Sequence, residues 1–168
     1  MEFEPGWGEY QARTTRVIPV VALEPVAGGP PFAGSLGETI KRVHDAFRRE
    51  LDLIRKEVAS AGPRLGAQLR VNCLSLCQGL HNHHAGEDAG IFPFVGDRHQ
   101  ELAPVLERLG QEHRKIAALL AELQVVVSDE HADRARTSSE VDRLAEELEA
   151  HLAYEEEQLL PVLEVVTA

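Results

Sequence analysis

Two His-x-x-x-Glu pairs, His83 with Glu87 and His151 with Glu155, stand 68 residues apart in the chain. On a helix, residues four apart point the same way, so each pair makes a nitrogen–oxygen pincer. The repeat extends beyond the pincers. HHAGEDAGIFPFV (His83 to Val95) overlays HLAYEEEQLLPVL (His151 to Leu163), with Asp88 over Glu156 and Pro93 over Pro161. A shift of 69 lays His44, Phe47 and Leu51 over His113, Ile116 and Leu120. Each half of the chain therefore offers one histidine and then a pincer. Burying four imidazoles and two carboxylates uncompensated would be severely destabilising. Two divalent or trivalent metal ions supply the compensation, with His44, His83, His113 and His151 as terminal ligands and Glu87 and Glu155 placed to bridge. Nitrogen and oxygen donors without thiolate suit iron or manganese better than a structural zinc site.

The neighbouring polar residues carry weaker expectations. His84, one step from His83 and three from Glu87, is a further candidate as a ligand, as a donor behind the ligands, or as an exposed residue. Asp88 and Glu156 read as acceptors for ligand N–H groups or as solvated carboxylates. His81 points off the inward line, His99 and His131 lie near helix ends, and Tyr154 reaches either the cavity or the surface.

Four helices must position these groups. The first is expected over about Leu36 to Ser60, with Ile40, His44, Phe47, Leu51, Ile54 and Val58 on one stripe. The second, about Arg64 to Ala89, aligns Leu76, Leu80, His83, Glu87 and Ile91. The third, about Glu101 to Val127, aligns Leu102, Leu106, Leu109, His113, Ile116, Leu120 and Leu123, with Pro104 in its opening turn. The fourth, about Ser138 to Val165, aligns Val141, Leu144, Leu148, His151, Glu155 and Leu159. Turn signals at Ala61-Gly62-Pro63, Gly90 to Asp97 and Ser128 to Thr137 separate them. The expected fold is all-α, an antiparallel up-down four-helix bundle over residues 36–168. Residues 1–35, where five of the nine prolines precede Phe32, form a non-helical N-terminal arm.

Composition narrows the function classes. A formal charge of -11 opposes nucleic-acid or anionic-membrane binding through a basic surface. The start MEFEPGWGEY is acidic, and the apolar run Val17 to Leu23 is short and broken by Pro19, so neither a secretory leader nor a membrane span is expected. Cys73 and Cys77, consecutive turns apart on one helix, read as small apolar residues rather than a disulfide or thiol site. The simplest location is cytoplasmic, and the simplest assembly a monomer or weak homodimer.

With these residues assigned, the chain resembles the hemerythrin-like family, the HHE cation-binding domains, from about Leu36 to Val165. The resemblance rests on His44, on His83-His84-x-x-Glu87-Asp88 with Ile91-Phe92-Pro93, on Glu112-His113, and on His151-x-x-x-Glu155-Glu156 with Leu160-Pro161. It implies two non-haem iron ions with an oxo or hydroxo bridge and two bridging carboxylates, with manganese or zinc as lesser alternatives. The chain departs from the oxygen carriers of the family in two ways. Ala117 stands where their third helix has a second histidine, and the carriers' spacing on the fourth helix would select Glu156 where the repeat selects Glu155. An open position would then fall to water, His84 or an exogenous ligand.

The expected function is binding of, or reaction with, dioxygen, hydrogen peroxide or nitric oxide, and catalase-like or oxidase turnover is one outlet of such a site. The alternatives are an iron- or oxygen-responsive regulatory or interaction module, and a diiron oxidase or oxygenase acting on an organic substrate.

Overall fold

The computed structural model describes residues 34–60, 66–129 and 134–164. The N-terminal arm thus lies, but for its last two residues, outside the described residues, as does His131. Helix α1 spans Leu36–Ser60 and α2 spans Ala67–Gly86. A π-helical turn over Glu87–Ile91 leads into α3, Phe92–Arg98. A 3-10 turn, Gln100–Leu102, precedes α4, Ala103–Ser128, and α5 spans Arg134–Leu163. No strand occurs among the described residues, and none of the described helices is long and apolar enough to cross a membrane.

The start of α1 is written in four residues, Ser35-Leu36-Gly37-Glu38. The Glu38 amide donates to Ser35 Oγ (3.1 Å) while the Ser35 amide donates to Glu38 Oε2 (3.3 Å), a reciprocal capping box. Gly34 just before it has φ +141°, and a Cβ there would run into the Glu38 carboxylate, so the cap requires glycine.

Helix α1 packs on α2 and α5, and α4 on the same two, which closes the four long helices into a square bundle. Their apolar stripes form two cores. One, towards one end, is built on Leu51, Ile54, Leu80, Leu123, Leu144 and Leu148; the other, smaller, on Ile40, Phe92, Val95, Leu109, Leu159 and Leu163. The histidine and glutamate positions lie between the two in every stripe, so the polar layer is sealed above and below by hydrocarbon. Cys73 and Cys77 sit in the first core as free, fully buried thiols, and burial pushes them up to about 11 and about 12. They therefore stay protonated and act as apolar filler.

Two expected boundaries move. The stretch from Gly90 to Asp97 is helical rather than a turn, and α5 begins at Arg134, ahead of Ser138. Pro93 lacks an N–H and crowds the carbonyl four residues back, and a widened π turn accommodates it. Its repeat counterpart Pro161 lies inside uninterrupted helix, so proline alone does not force the π turn. Gly86 and Gly90, whose counterparts are Tyr154 and Gln158, supply the extra backbone latitude in the first half.

Candidate metal centre

The six candidates chosen by phase converge on one layer, and His84 joins them. His44, Glu87, His113, His151 and Glu155 are buried, both carboxylates at 1 % exposure; His84 is buried too, and His83 is nearly so. Among the described residues, three groupings bring ligand atoms within 4.8 Å of one another: His44, His83 and Glu87; His84, His113 and His151; and Glu87, His113 and Glu155. The layer thus reads as a histidine pair and a histidine trio, with the two glutamates between them.

Each pincer closes as its spacing requires, with His83 Nε2 3.2 Å from Glu87 Oε1 and His151 Nε2 3.5 Å from Glu155 Oε2. The rest of the cluster is assembled by the tertiary fold. His44 Nε2 faces His83 Nε2 at 3.1 Å and lies 3.9 and 3.8 Å from the Glu87 and Glu155 carboxylates. His113 Nε2 lies 3.6 Å from Glu87 Oε2, and its ring stacks on His84 (centroids 4.2 Å apart) and on Phe92 (5.1 Å).

Three rings are oriented from behind. Nδ1 of His44 donates to Glu156 (3.0 Å), Nδ1 of His113 to Asp88 (2.9 Å), and Nδ1 of His151 to Glu112 (3.0 Å). Glu156 and Asp88 are repeat counterparts, so the twofold relation extends to the acceptors. Glu156, the alternative ligand by carrier spacing, therefore points at His44 and Arg48 and lies in none of the three groupings. Arginines hold two of the acceptors in turn: Arg48 Nη1 donates to Glu156 (2.7 Å) and Arg48 Nε to Glu149 (2.9 Å), while Arg108 Nε donates to Glu112 (2.8 Å) under the Tyr154 ring, 3.6 Å from its centroid. Tyr154 thus serves the outer wall rather than the cavity. Glu112 and Arg48 had no assigned role from sequence; the available signals were a carboxylate adjacent to a candidate ligand and an arginine one turn beyond His44. The counterpart of Glu112 is Val43, and no carboxylate stands behind Nδ1 of His83 among the described residues.

The electrostatics of the layer are unfavourable as they stand. Burial lowers every one of its imidazoles, and neighbouring rings add to this at His83, lowered to about 3, His84, lowered to about 2, and His151, so burial favours the neutral ring throughout. A neutral ring that donates through Nδ1 presents Nε2 as a lone pair. His44 aims that lone pair at both carboxylates, His113 at Glu87 and His151 at Glu155. Burial raises Glu87, reinforced by the charge of Glu155 and by a hydrogen bond to it when Glu87 is protonated; burial also raises Glu155, opposed by that hydrogen bond and reinforced by the charges of Glu156, Asp88 and Glu112. Burial also raises Glu156, but hydrogen bonds from Arg48 and His44 outweigh it and hold that carboxyl below its ordinary range. Among the described residues, seven buried atoms have no hydrogen-bond partner: Nε2 of His84, His113 and His151, and both oxygens of Glu87 and Glu155. An unpaired buried polar atom costs about 1–3 kcal/mol, and all seven face one space. Lone pairs and carboxylate oxygens converging in a dry layer fit cations.

His81 is exposed, and His99 pairs with Glu101 at 3.1 Å at a helix junction, so neither joins the cluster. A family model for the hemerythrin HHE cation binding domain matches residues 35–163. Neither the curated proteins nor the solved structures compared with the chain include a match.

Proposed function

Because the chain belongs to the hemerythrin HHE cation-binding family, we propose that its buried layer holds two non-haem iron ions and that this pair binds or reacts with a small oxidant: dioxygen, hydrogen peroxide or nitric oxide. The observation that carries the proposal is the set of seven partnerless atoms, all nitrogen or carboxylate oxygen and all turned inward. His44 and His83 would serve one ion and His84, His113 and His151 the other, with Glu87 and Glu155 shared between them. When bound, such a pair supplies two redox-active centres to one small molecule.

The chain's own residues prepare that chemistry. Glu156, Asp88 and Glu112 fix which ring nitrogen faces the interior and raise its basicity. The hydrocarbon layers on either side exclude bulk water. Glu87 and Glu155 carry two negative charges that offset the charge of the ions. His84 supplies the imidazole that Ala117 does not.

Purified protein is expected to contain about two irons per chain, with near-ultraviolet absorption from charge transfer onto the metal. A colourless protein that takes up no iron on anaerobic ferrous loading would overturn the proposal. A second reading, an iron-responsive module, draws on the same seven atoms, because they tie metal occupancy directly to bundle stability. Limited proteolysis with and without metal tests the second reading: an unchanged cleavage pattern on metal loss would remove it.

A further inference from the structure

The internal repeat is broken on one outer face, where a groove reaches two of the layer's histidines. On the α1/α5 side, Arg48 lies across Glu156 and Glu149, over His44. A groove of about 140 Å³ on that face is floored by Leu51, Ala145 and Leu148 and is lined by none of the candidate ligands. On the α2/α4 side the counterpart of Arg48 is Ala117, exposed and too short to cover anything. Here a groove of about 140 Å³ runs between His81, Ala85, Arg114 and Ala117, and its walls include His84 and His113. A volume of that size has room for about four waters. His84 marks where it leads: the residue is buried, its Nε2 is partnerless, and its counterpart in the other half is Leu152.

We propose that small molecules enter the buried layer through the α2/α4 groove, along the edge of the stacked His84 and His113 rings, and that Ala117 keeps this route open. The ligand class is set by the groove: a molecule of about two to four non-hydrogen atoms, neutral or singly charged, since Arg114 on the rim is offset by Asp88. The route rests on the diiron reading for its purpose but not for its existence.

Azide is a suitable probe for the iron-loaded full chain, its binding followed by stopped-flow absorbance. Ala117→Leu is expected to slow association about tenfold or more at unchanged iron content, whereas Ala153→Leu, on the α1/α5 face at the counterpart of Ala85, changes it by less than about twofold. Equal rates for Ala117→Leu and the parent protein, or slowing by Ala153→Leu instead, would overturn the route. Both alanines are exposed, and Ala117→Val replaces the leucine variant if that one fails to fold. A second measurement needs no metal and uses water as the probe: hydrogen–deuterium exchange at the histidine C2 position of the metal-free chain, mapped by mass spectrometry. Ala117→Leu should slow exchange at His84 and His113 and leave His99, outside the layer, unchanged; unchanged exchange at His84 and His113 refutes the groove. Failure to bind iron with exchange still gated by residue 117 would discard the diiron reading and keep the route.

Discussion

At the residue scale, the layer separates groups that hold a cation from groups that hold a ligand. Glu87→Gln or Glu155→Gln removes a charged oxygen that faces both histidine groups, and the expected result is loss of half or more of the bound metal by elemental analysis. Glu156→Ala frees His44 to rotate but leaves the inward donors in place. It should retain metal with affinity lowered about 10–100-fold in a chelator competition. The reverse ranking would move the bridge to Glu156. Sequence spacing found His44, His83, Glu87, His113, His151 and Glu155 because each lies on the inward stripe of its own helix. It left His84 ambiguous because a neighbour one step round a helix is turned by about 100°, and only the packing of α2 against α4 decides which way that step faces. Glu112 lies off its helix's inward line for the same reason, and only the position of His151 on a neighbouring helix gives it a role.

At the element scale, the four long helices were legible from apolar periodicity, and the π turn was not. Gly90 and Pro93 are strong breaker signals, yet the chain stays helical through them, since widening one turn satisfies the proline without giving up the helix. That continuation brings Phe92 onto the face of His113 and so closes the layer from below. The opposite core contains none of the candidate ligands. Leu148, fully buried there, should cost about 2–5 kcal/mol of stability on substitution by alanine in a denaturant titration, with metal stoichiometry unchanged. A loss of metal in Leu148→Ala that parallels the loss of stability would show that core and layer are one cooperative unit.

At the scale of the whole molecule, the metal-free protein carries opposed proton linkages. From the ordinary carboxyl value of 4.5 up to about 7 for Glu155 and about 10 for Glu87, the folded chain keeps protons that the unfolded chain has released, so these two groups make stability fall as pH rises. Below 6.5 the unfolded chain takes up protons that the five buried imidazoles refuse, so stability falls as pH drops. The melting temperature of metal-free protein is therefore expected to peak near that value, and Glu87→Gln to flatten the alkaline limb. A melting temperature rising steadily from about pH 5 to 9 would contradict this. Metal loading should raise the melting temperature throughout the neutral range, as any ligand of the folded state does. The twofold repeat is also incomplete where Val43 replaces the acceptor that Glu112 provides, leaving His83 the less basic donor of the two pincer rings. Ions held by the two histidine groups would then be chemically unequal partners. The trio side, where three imidazoles would donate and two of them have a carboxylate behind, would hold the more highly charged cation the more tightly.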